Sequence, residues 1–222
     1  MKILAINASP RGKNSNTRQL VEAALSGAKE AGADIEYLDI CEYDIGYCTA
    51  CAICYHTGVC AIQDDCAEVL AKMQDADGLI LGSPVYINAV SAQLKTLLDR
   101  MPDLIHCQAF TGKYGIVVTT AGGSGTDDVI AYLGNTLQVL GANMCGGVAG
   151  IMSYGPERFE HQKTEAKNAG KTLVQAINEK TTYPEQEAFH AFMKSRMTAL
   201  VSANRDTMHH EYEYLKNRGW IT

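Results

Sequence analysis

The fold of this chain is decided by residues 2–17, which read Lys-Ile-Leu-Ala-Ile-Asn-Ala-Ser-Pro-Arg-Gly-Lys-Asn-Ser-Asn-Thr. The first seven residues are apolar and β-prone and predict a buried strand, while the polar residues 9–16 predict a loop. A helix follows, because Leu20, Ala24 and Ala28 recur at helical spacing. This succession of strand, polar loop and helix is typical of the first unit of an α/β protein.

The same alternation continues along the chain. Further strands are predicted at 34–40, 78–82, 113–120 and 143–150, with helices near 65–73, 91–99, 127–140 and 157–178. Five strands alternating with helices indicate a parallel sheet covered on both faces, and right-handed crossovers favour a doubly wound order, 2-1-3-4-5. Ligands of such sheets bind at the carboxyl ends of the strands, so the loops at 8–16, 83–88 and 121–126 are expected to converge on one site.

The predicted organisation is one α/β domain over residues 1–180, interrupted by a cysteine-rich insertion at 41–63. Residues 181–222 form a helical C-terminal extension, whose apolar stripe is expected to belong to a core or a subunit interface.

The formal charge of −6 gives no support for binding to nucleic acids or anionic membranes. The apolar run at the N-terminus is too short for a signal peptide or a membrane span, so we expect a cytoplasmic protein with reduced thiols.

The loop after the first strand is a candidate phosphate site. Free N–H groups and the positive end of a helix dipole favour a phosphate there. Ser9, Ser15, Asn16 and Thr17 can donate from their side chains, and Arg11 can add charge-assisted hydrogen bonds. A plain helix cap in a solvated loop is the alternative. Since the G-x-G-x-x-G spacing is absent, a phosphate monoester is favoured over a dinucleotide.

Three blocks of sequence, in this order, resemble the NADPH-dependent FMN reductase branch of the flavodoxin-like superfamily. They are Ser9-Pro10-Arg11 with Ser15-Asn16-Thr17; Gly82-Ser83-Pro84-Val85-Tyr86; and Ser91 with Leu94-Lys95 and Asp99-Arg100. The resemblance implies a flavodoxin-like fold in which the first block holds the phosphate of FMN. It also implies that Ser83, Pro84, Val85 and Tyr86 lie along the isoalloxazine, and that Thr120, Ala121, Gly122 and Gly123 approach the far side of the ring. Lys95 and Arg100 are interpreted as structural helix charges.

A second motif consists of Cys48, Cys51, Cys54 and Cys60, spaced C-x2-C-x2-C-x5-C. Four thiolates in a short loop can ligate one [4Fe–4S] cluster. Zinc, a redox-active disulfide and metal-free cysteines are alternatives, although zinc sites usually pair two separate C-x2-C knuckles. With this motif the chain resembles the iron–sulfur flavoproteins, in which such a run binds a cluster beside FMN.

The expected function is that of an FMN-dependent oxidoreductase or electron carrier, with the flavin rather than a protein group carrying the chemistry. The resemblance implies NAD(P)H as an electron donor, and a ferredoxin-like protein or a small molecule as partner. A homodimer or homotetramer is expected, since flavin sites of this family often lie near subunit contacts. One alternative is an NAD(P)H-dependent FMN, quinone or nitro-compound reductase with metal-free cysteines. Another is a zinc-stabilised interaction module without flavin.

Overall fold

The computed structural model describes residues 1–221 and shows a five-stranded parallel sheet with helices on both faces. The strands lie in the order β2-β1-β3-β4-β5. This confirms the predicted doubly wound arrangement. Their bounds are β1 Lys2–Asn7, β2 Asp34–Asp39, β3 Gly78–Pro84, β4 Tyr114–Ala121 and β5 Asn143–Ile151.

The helices occupy the predicted intervals and two further short segments. Their bounds are α1 Asn16–Glu30, α2 Ile53–Thr57, α3 Cys66–Asp75, α4 Ala92–Leu98, α5 Pro102–His106, α6 Thr126–Val139, α7 Pro156–Glu179, α8 Pro184–Ala203 and α9 His209–Asn217. The sequence pattern predicts neither α2 nor α5, because a single helical turn is too short to show an apolar period. Both short helices lie near the cysteines, where the regular alternation of strands and helices is interrupted.

The sheet separates two apolar cores. Leu4 and Ile6 of β1 face α3, α4 and α6, whereas Ile3 and Ala5 face α1 and α7. Successive side chains of a strand point to opposite faces, so a strand covered on both faces must be apolar throughout. This explains why the central strands lack the alternation of polar and apolar residues that a half-exposed strand shows.

Helices α1 and α7 approach each other closely at two glycines. A Cβ atom on Gly27 would lie 1.9 Å from the carbonyl oxygen of Lys167, and one on Gly170 would lie 1.8 Å from that of Ala24. Both distances are well inside van der Waals contact, so a side chain at either position would force the helices apart. The two glycines therefore fix the position of α1, and with it the loop that precedes this helix.

The C-terminal helices pack on their own chain. Gln186 of α8 accepts a hydrogen bond from the N–H of Met144 at 2.7 Å and donates one to its carbonyl at 2.9 Å, which covers part of the edge strand β5. Met193 and Met197 are buried, and Leu215 of α9 belongs to a separate small core. The apolar stripe of the extension is thus buried only in part, since Leu200 is 39% and Phe192 is 59% exposed. The division of the chain at residue 180 stays a prediction. No helix in residues 1–221 combines the length and the apolar character that a membrane span needs.

Candidate functional site

A broad hollow lies at the carboxyl edge of the sheet, where the loops after β1, β3 and β4 meet as predicted. It encloses about 710 Å³, part of which is open to solvent. It is lined by all but three of the residues that the sequence assigns to FMN: Ser9, Arg11, Asn16, Thr17, Pro84, Val85, Tyr86, Thr120, Ala121 and Gly122. The remaining three, Ser15, Ser83 and Gly123, lie outside this lining.

The loop after β1 presents the start of α1 to the hollow. The Ser15 hydroxyl accepts a hydrogen bond from the N–H of Arg18 at 3.0 Å and so caps the helix. The amides of the first helical turn have no partner within the helix, and the helix dipole gives this end a positive potential. The hydroxyls of Thr17 and Thr120 lie 2.6 Å apart and join α1 to β4. The charged side chain of Arg11 is exposed at the rim. Together these groups form an anion-binding end beside a polar wall.

The turn after β3 is held from behind by Ser83. Its buried hydroxyl accepts a hydrogen bond from the N–H of Ser91 at 2.9 Å, so this side chain fixes the turn from outside the hollow. Tyr86 and Ala89 exchange two backbone hydrogen bonds around a two-residue tip. At this tip Ile87 has a φ of 49° and is 99% exposed. A β-branched residue in the left-handed region is strained, and the two backbone hydrogen bonds between Tyr86 and Ala89 hold the tip in this conformation.

The loops after β4 and β5 close the other side of the hollow. The N–H of Ser153 donates to the carbonyl of Gly122 at 2.9 Å. Met152 lines the hollow, and its sulfur accepts a hydrogen bond from the Asn16 amide at 2.7 Å. Sequence analysis misses Met152. The rule that ligands bind beyond the carboxyl ends of strands, applied to the fifth strand, would have indicated it.

A second, smaller hollow lies in the segment between β2 and α3. It encloses about 390 Å³, part of it open to solvent, and its lining brings together the four predicted ligands, Cys48, Cys51, Cys54 and Cys60. Ala50 and Ala52 have φ angles of 54° and 60°, so the backbone turns sharply twice between the first and third cysteines. The two hollows share no lining residue.

The chemistry of the second hollow suits a soft metal centre. Within the described residues its lining has four thiols, apolar side chains such as Ile62 and Pro102, and no carboxylate or imidazole. The N–H of Ile53 lowers the pKa of the Cys51 thiol, whereas burial raises the pKa of Cys54 to about 11. Four sulfur donors fit a [4Fe–4S] cluster, and they also fit tetrahedral zinc.

Arg100 is also part of this lining, which corrects its interpretation as a helix charge. The Arg100 guanidinium is buried and donates a hydrogen bond to the sulfur of Cys60 at 3.2 Å. Lys95 behaves as expected and forms an exposed ion pair with Asp99 on its own helix. The sequence spacing places both residues at the end of α4 and contains no signal that one of them turns toward the cysteines.

Helix α9 packs against the cysteine segment, a relation that sequence analysis does not predict. His106 pairs with Glu211 at 2.8 Å, and the ring of Tyr55 lies over His106 with 4.9 Å between ring centroids. His210 pairs with Asp103 at 3.0 Å and covers Gly58 so closely that a Cβ there would lie 2.5 Å from the ring. Burial raises the pKa of both carboxyl groups. The C-terminal helix therefore supports the loop that carries the cysteines.

Comparison with known proteins relates the chain to flavin-dependent reductases. The family model described as NADPH-dependent FMN reductase matches residues 1–157. An iron–sulfur flavoprotein of Archaeoglobus fulgidus is 31% identical over 222 residues, which is 100% of both chains. Another iron–sulfur flavoprotein, from Methanocaldococcus jannaschii, is 46% identical over 100 residues, covering 45% of this chain and 51% of its own.

Solved structures agree on the fold. The NAD(P)H:quinone oxidoreductase from Methanothermobacter marburgensis has a TM-score of 0.63 at 21% identity, over 78% of this chain and 96% of its own. A flavone reductase has a TM-score of 0.65 at 20% identity, over 80% of this chain and 63% of its own. A flavodoxin from the domain Archaea is similar over 80% of this chain, with a TM-score of 0.56 at 13% identity. The sheet and its helices are thus those of the flavodoxin-like fold.

Proposed function

We propose that this FMN-dependent oxidoreductase, which belongs to the NADPH-dependent FMN reductase family, carries two redox centres. An iron–sulfur flavoprotein of Archaeoglobus fulgidus is similar to it over its full length. The first centre is FMN in the hollow at the sheet edge, and the second is a [4Fe–4S] cluster on the cysteine segment. When bound, FMN supplies hydride and electron chemistry, and the cluster supplies single-electron exchange. The observation that carries the proposal is that four cysteines line one hollow whose lining, in the described residues, has no other metal ligand.

In the first centre, the start of α1 would hold the FMN phosphate. Free amides of the first turn and the side chains of Ser9 and Asn16 supply donors, and Arg11 adds a positive charge at the rim. Pro84, Val85 and Tyr86 would form one wall along the flavin ring. Thr120, Ala121, Gly122 and Met152 would form the opposite side. Ser15 and Ser83 would act by fixing the loops, since their hydroxyls accept hydrogen bonds from backbone N–H groups.

In the second centre, Cys48, Cys51, Cys54 and Cys60 would supply the four thiolates. Cys48 and Cys51 are exposed, whereas Cys54 and Cys60 are partly buried, so a cluster held here would lie at the protein surface with one side against Ile62. The potential of a cluster depends on this exposure. A cytoplasmic location is part of the proposal, because thiolates that ligate iron must stay reduced.

The proposed role is electron transfer among NAD(P)H, a ferredoxin-like protein and a small-molecule acceptor. Self-association into a homodimer or homotetramer remains a prediction. Exposed apolar side chains next to the flavin hollow, Tyr86, Ile87 and Tyr154, support it. Of the C-terminal stripe, Met193 and Met197 are buried by their own chain, and Leu200 stays exposed.

A second candidate is an NAD(P)H-dependent FMN, quinone or nitro-compound reductase with metal-free cysteines. The similarity to an FMN-dependent NADH:quinone oxidoreductase from Delftia acidovorans, 28% identical over 176 residues, favours it. In that case NADPH would bleach the bound flavin and the protein would contain no iron.

Anaerobic reconstitution with iron and sulfide tests the two-centre proposal. The proposal predicts a broad visible absorbance on top of the flavin bands, which dithionite partly bleaches. Flavin bands alone after reconstitution would favour the metal-free reductase, and stoichiometric zinc without flavin would favour the interaction module.

A further inference from the structure

We propose that Arg100 is a positioning residue that clasps the cysteine segment and donates a hydrogen bond to the ligand sulfur of Cys60, raising the reduction potential of the cluster. This inference rests on the proposed cluster and assigns a role to a side chain outside the ligand set. It follows from the hydrogen bonds, burial and charge of Arg100.

The guanidinium of Arg100 joins both ends of the cysteine segment. Its Nη1 donates to the carbonyl of Gly46 at 2.8 Å and to Asp64 Oδ2 at 2.7 Å. Its Nη2 donates to Asp64 Oδ1 at 3.1 Å and to Cys60 Sγ at 3.2 Å. Gly46 precedes the first ligand and Asp64 follows the last. One side chain therefore closes the loop that carries all four cysteines.

Asp64 completes this clasp. Its Oδ2 accepts the N–H of Gly46 at 2.8 Å, and its Oδ1 accepts the N–H of Cys66 at 3.1 Å. The side chains of Arg100 and Asp64 are 1% and 6% exposed, so their ion pair is shielded from salt and water. The hydrogen bond to Asp64 raises the pKa of Arg100 further, so the guanidinium stays charged.

The charge of Arg100 faces a group that gains negative charge on reduction. Among the described residues that line the hollow, Arg100 carries the one permanent positive charge. One-electron reduction of a cluster adds an electron and breaks no bond. A hydrogen bond from a cation to a ligand sulfur favours the more negative state, and such bonds set cluster potentials. Loss of this bond is therefore expected to lower the reduction potential.

Arginine is required for the geometry and not only for the charge. The planar fork donates in parallel to both Asp64 oxygens, and the second hydrogen of each Nη atom reaches Gly46 or Cys60. A lysine ammonium is a point charge that cannot make these four bonds at once. Arg100→Lys therefore keeps the positive charge but loses the clasp, whereas Arg100→Met loses both.

The test compares Arg100→Met and Arg100→Lys with Lys95→Met, an exposed control on α4, the helix that ends just before Arg100. Mediated titration of the reconstituted proteins gives the midpoint potentials of the cluster and of FMN. We expect Arg100→Met to lower the midpoint potential of the cluster by at least 59 mV, which corresponds to a tenfold change in the one-electron reduction equilibrium. We expect a smaller decrease in the cluster potential for Arg100→Lys. The midpoint potential of FMN should be the same in every protein. A cluster potential that stays at the wild-type value in Arg100→Met would overturn the proposal.

Hydrogen–deuterium exchange of iron-free protein is the second readout and remains informative where a variant holds no iron. Arg100→Met is expected to speed amide exchange in residues 46–62 at least tenfold without changing that of β1 or α1. Unchanged exchange in residues 46–62 would contradict the clasp. Wild-type protein that takes up no iron would sink the two-centre function, while this exchange measurement would still decide whether Arg100 holds the segment.

Discussion

The two hollows of this protein are built in different ways. The flavin hollow is framed by the ends of four parallel strands and the start of a helix, so the hydrogen bonds of the sheet position its walls. The cysteine hollow lies in a segment outside the sheet and is held by side chains, chiefly the Arg100–Asp64 pair and the contacts of α9 with Tyr55 and Gly58. The proposed metal centre therefore depends on a few side-chain contacts, whereas the flavin site depends on the fold as a whole.

The largest expected effect is the loss of iron from Cys54→Ala. A [4Fe–4S] cluster needs all four thiolates, so removing one ligand should abolish stable iron binding while FMN stays bound. Iron and FMN analysis after reconstitution checks this. Cys145→Ala is the matched control, because Cys145 is a partly buried cysteine on β5 outside the hollow. Full iron content in Cys54→Ala would break the assignment of the ligands.

The next effect concerns the packing of α1 against α7, which positions the loop at the flavin hollow. Gly170→Ala would place a Cβ 1.8 Å from the carbonyl of Ala24, which forces α1 and α7 apart. We expect the free energy of unfolding to fall by about 3 kcal/mol, which is at the upper end of the destabilisation typical of overpacked sites. FMN binding should also weaken. Urea unfolding measures the change in stability, with Thr172→Ala on the exposed side of α7 as control. Wild-type stability in Gly170→Ala would show that the two helices adjust freely.

The contact of α9 with α5 should make stability depend on pH. Burial raises the pKa of Glu211 above its value in the unfolded chain, so its contribution to stability is present in acid and is lost as the pH rises through the folded pKa. We expect Glu211→Gln to retain more of its stability than wild type as the pH rises through this interval. Urea midpoints from about pH 4.5 to 8 check it.

Glu213→Gln provides the control for this pH dependence, because Glu213 lies on the same helix and is only partly buried. The control should follow the wild-type curve. If Glu211→Gln has the same pH dependence as wild type, then Glu211 does not hold α9 in the way the structure indicates.

The smallest expected effect concerns the polar wall of the flavin hollow. Thr120→Val removes the hydroxyl that lies 2.6 Å from that of Thr17. Loss of one buried hydrogen bond should weaken FMN binding roughly three- to tenfold and leave iron content unchanged. Thr119→Val is a close control, since the Thr119 hydroxyl is buried without a partner in the described residues. Equal FMN dissociation constants for the two variants would show that the Thr120 hydroxyl does not contribute to FMN binding.

The order of the sheet and the meeting of the loops at 8–16, 83–88 and 121–126 follow from the sequence for a physical reason, whereas the roles of single residues toward FMN stay predictions. A strand buried on both faces has a continuous apolar run, which the sequence shows directly. The edge of the sheet at which a ligand binds then follows, because all carboxyl ends of parallel strands lie at that edge. Met152 is not predicted because the expected site includes the loops after β1, β3 and β4 and leaves out the end of β5. Arg100 escapes because its partners, Gly46, Cys60 and Asp64, are 36 to 54 residues away in sequence. Contacts made across such separations leave no periodic signal.

The content of FMN, iron, acid-labile sulfide and zinc in protein purified without oxygen tests the central claim most directly. The account predicts about one FMN and about four irons with matching sulfide per chain, and no stoichiometric zinc. FMN without iron would leave the fold and the flavin hollow intact, but it would contradict the assignment of Cys48, Cys51, Cys54 and Cys60 as the ligands of a second redox centre.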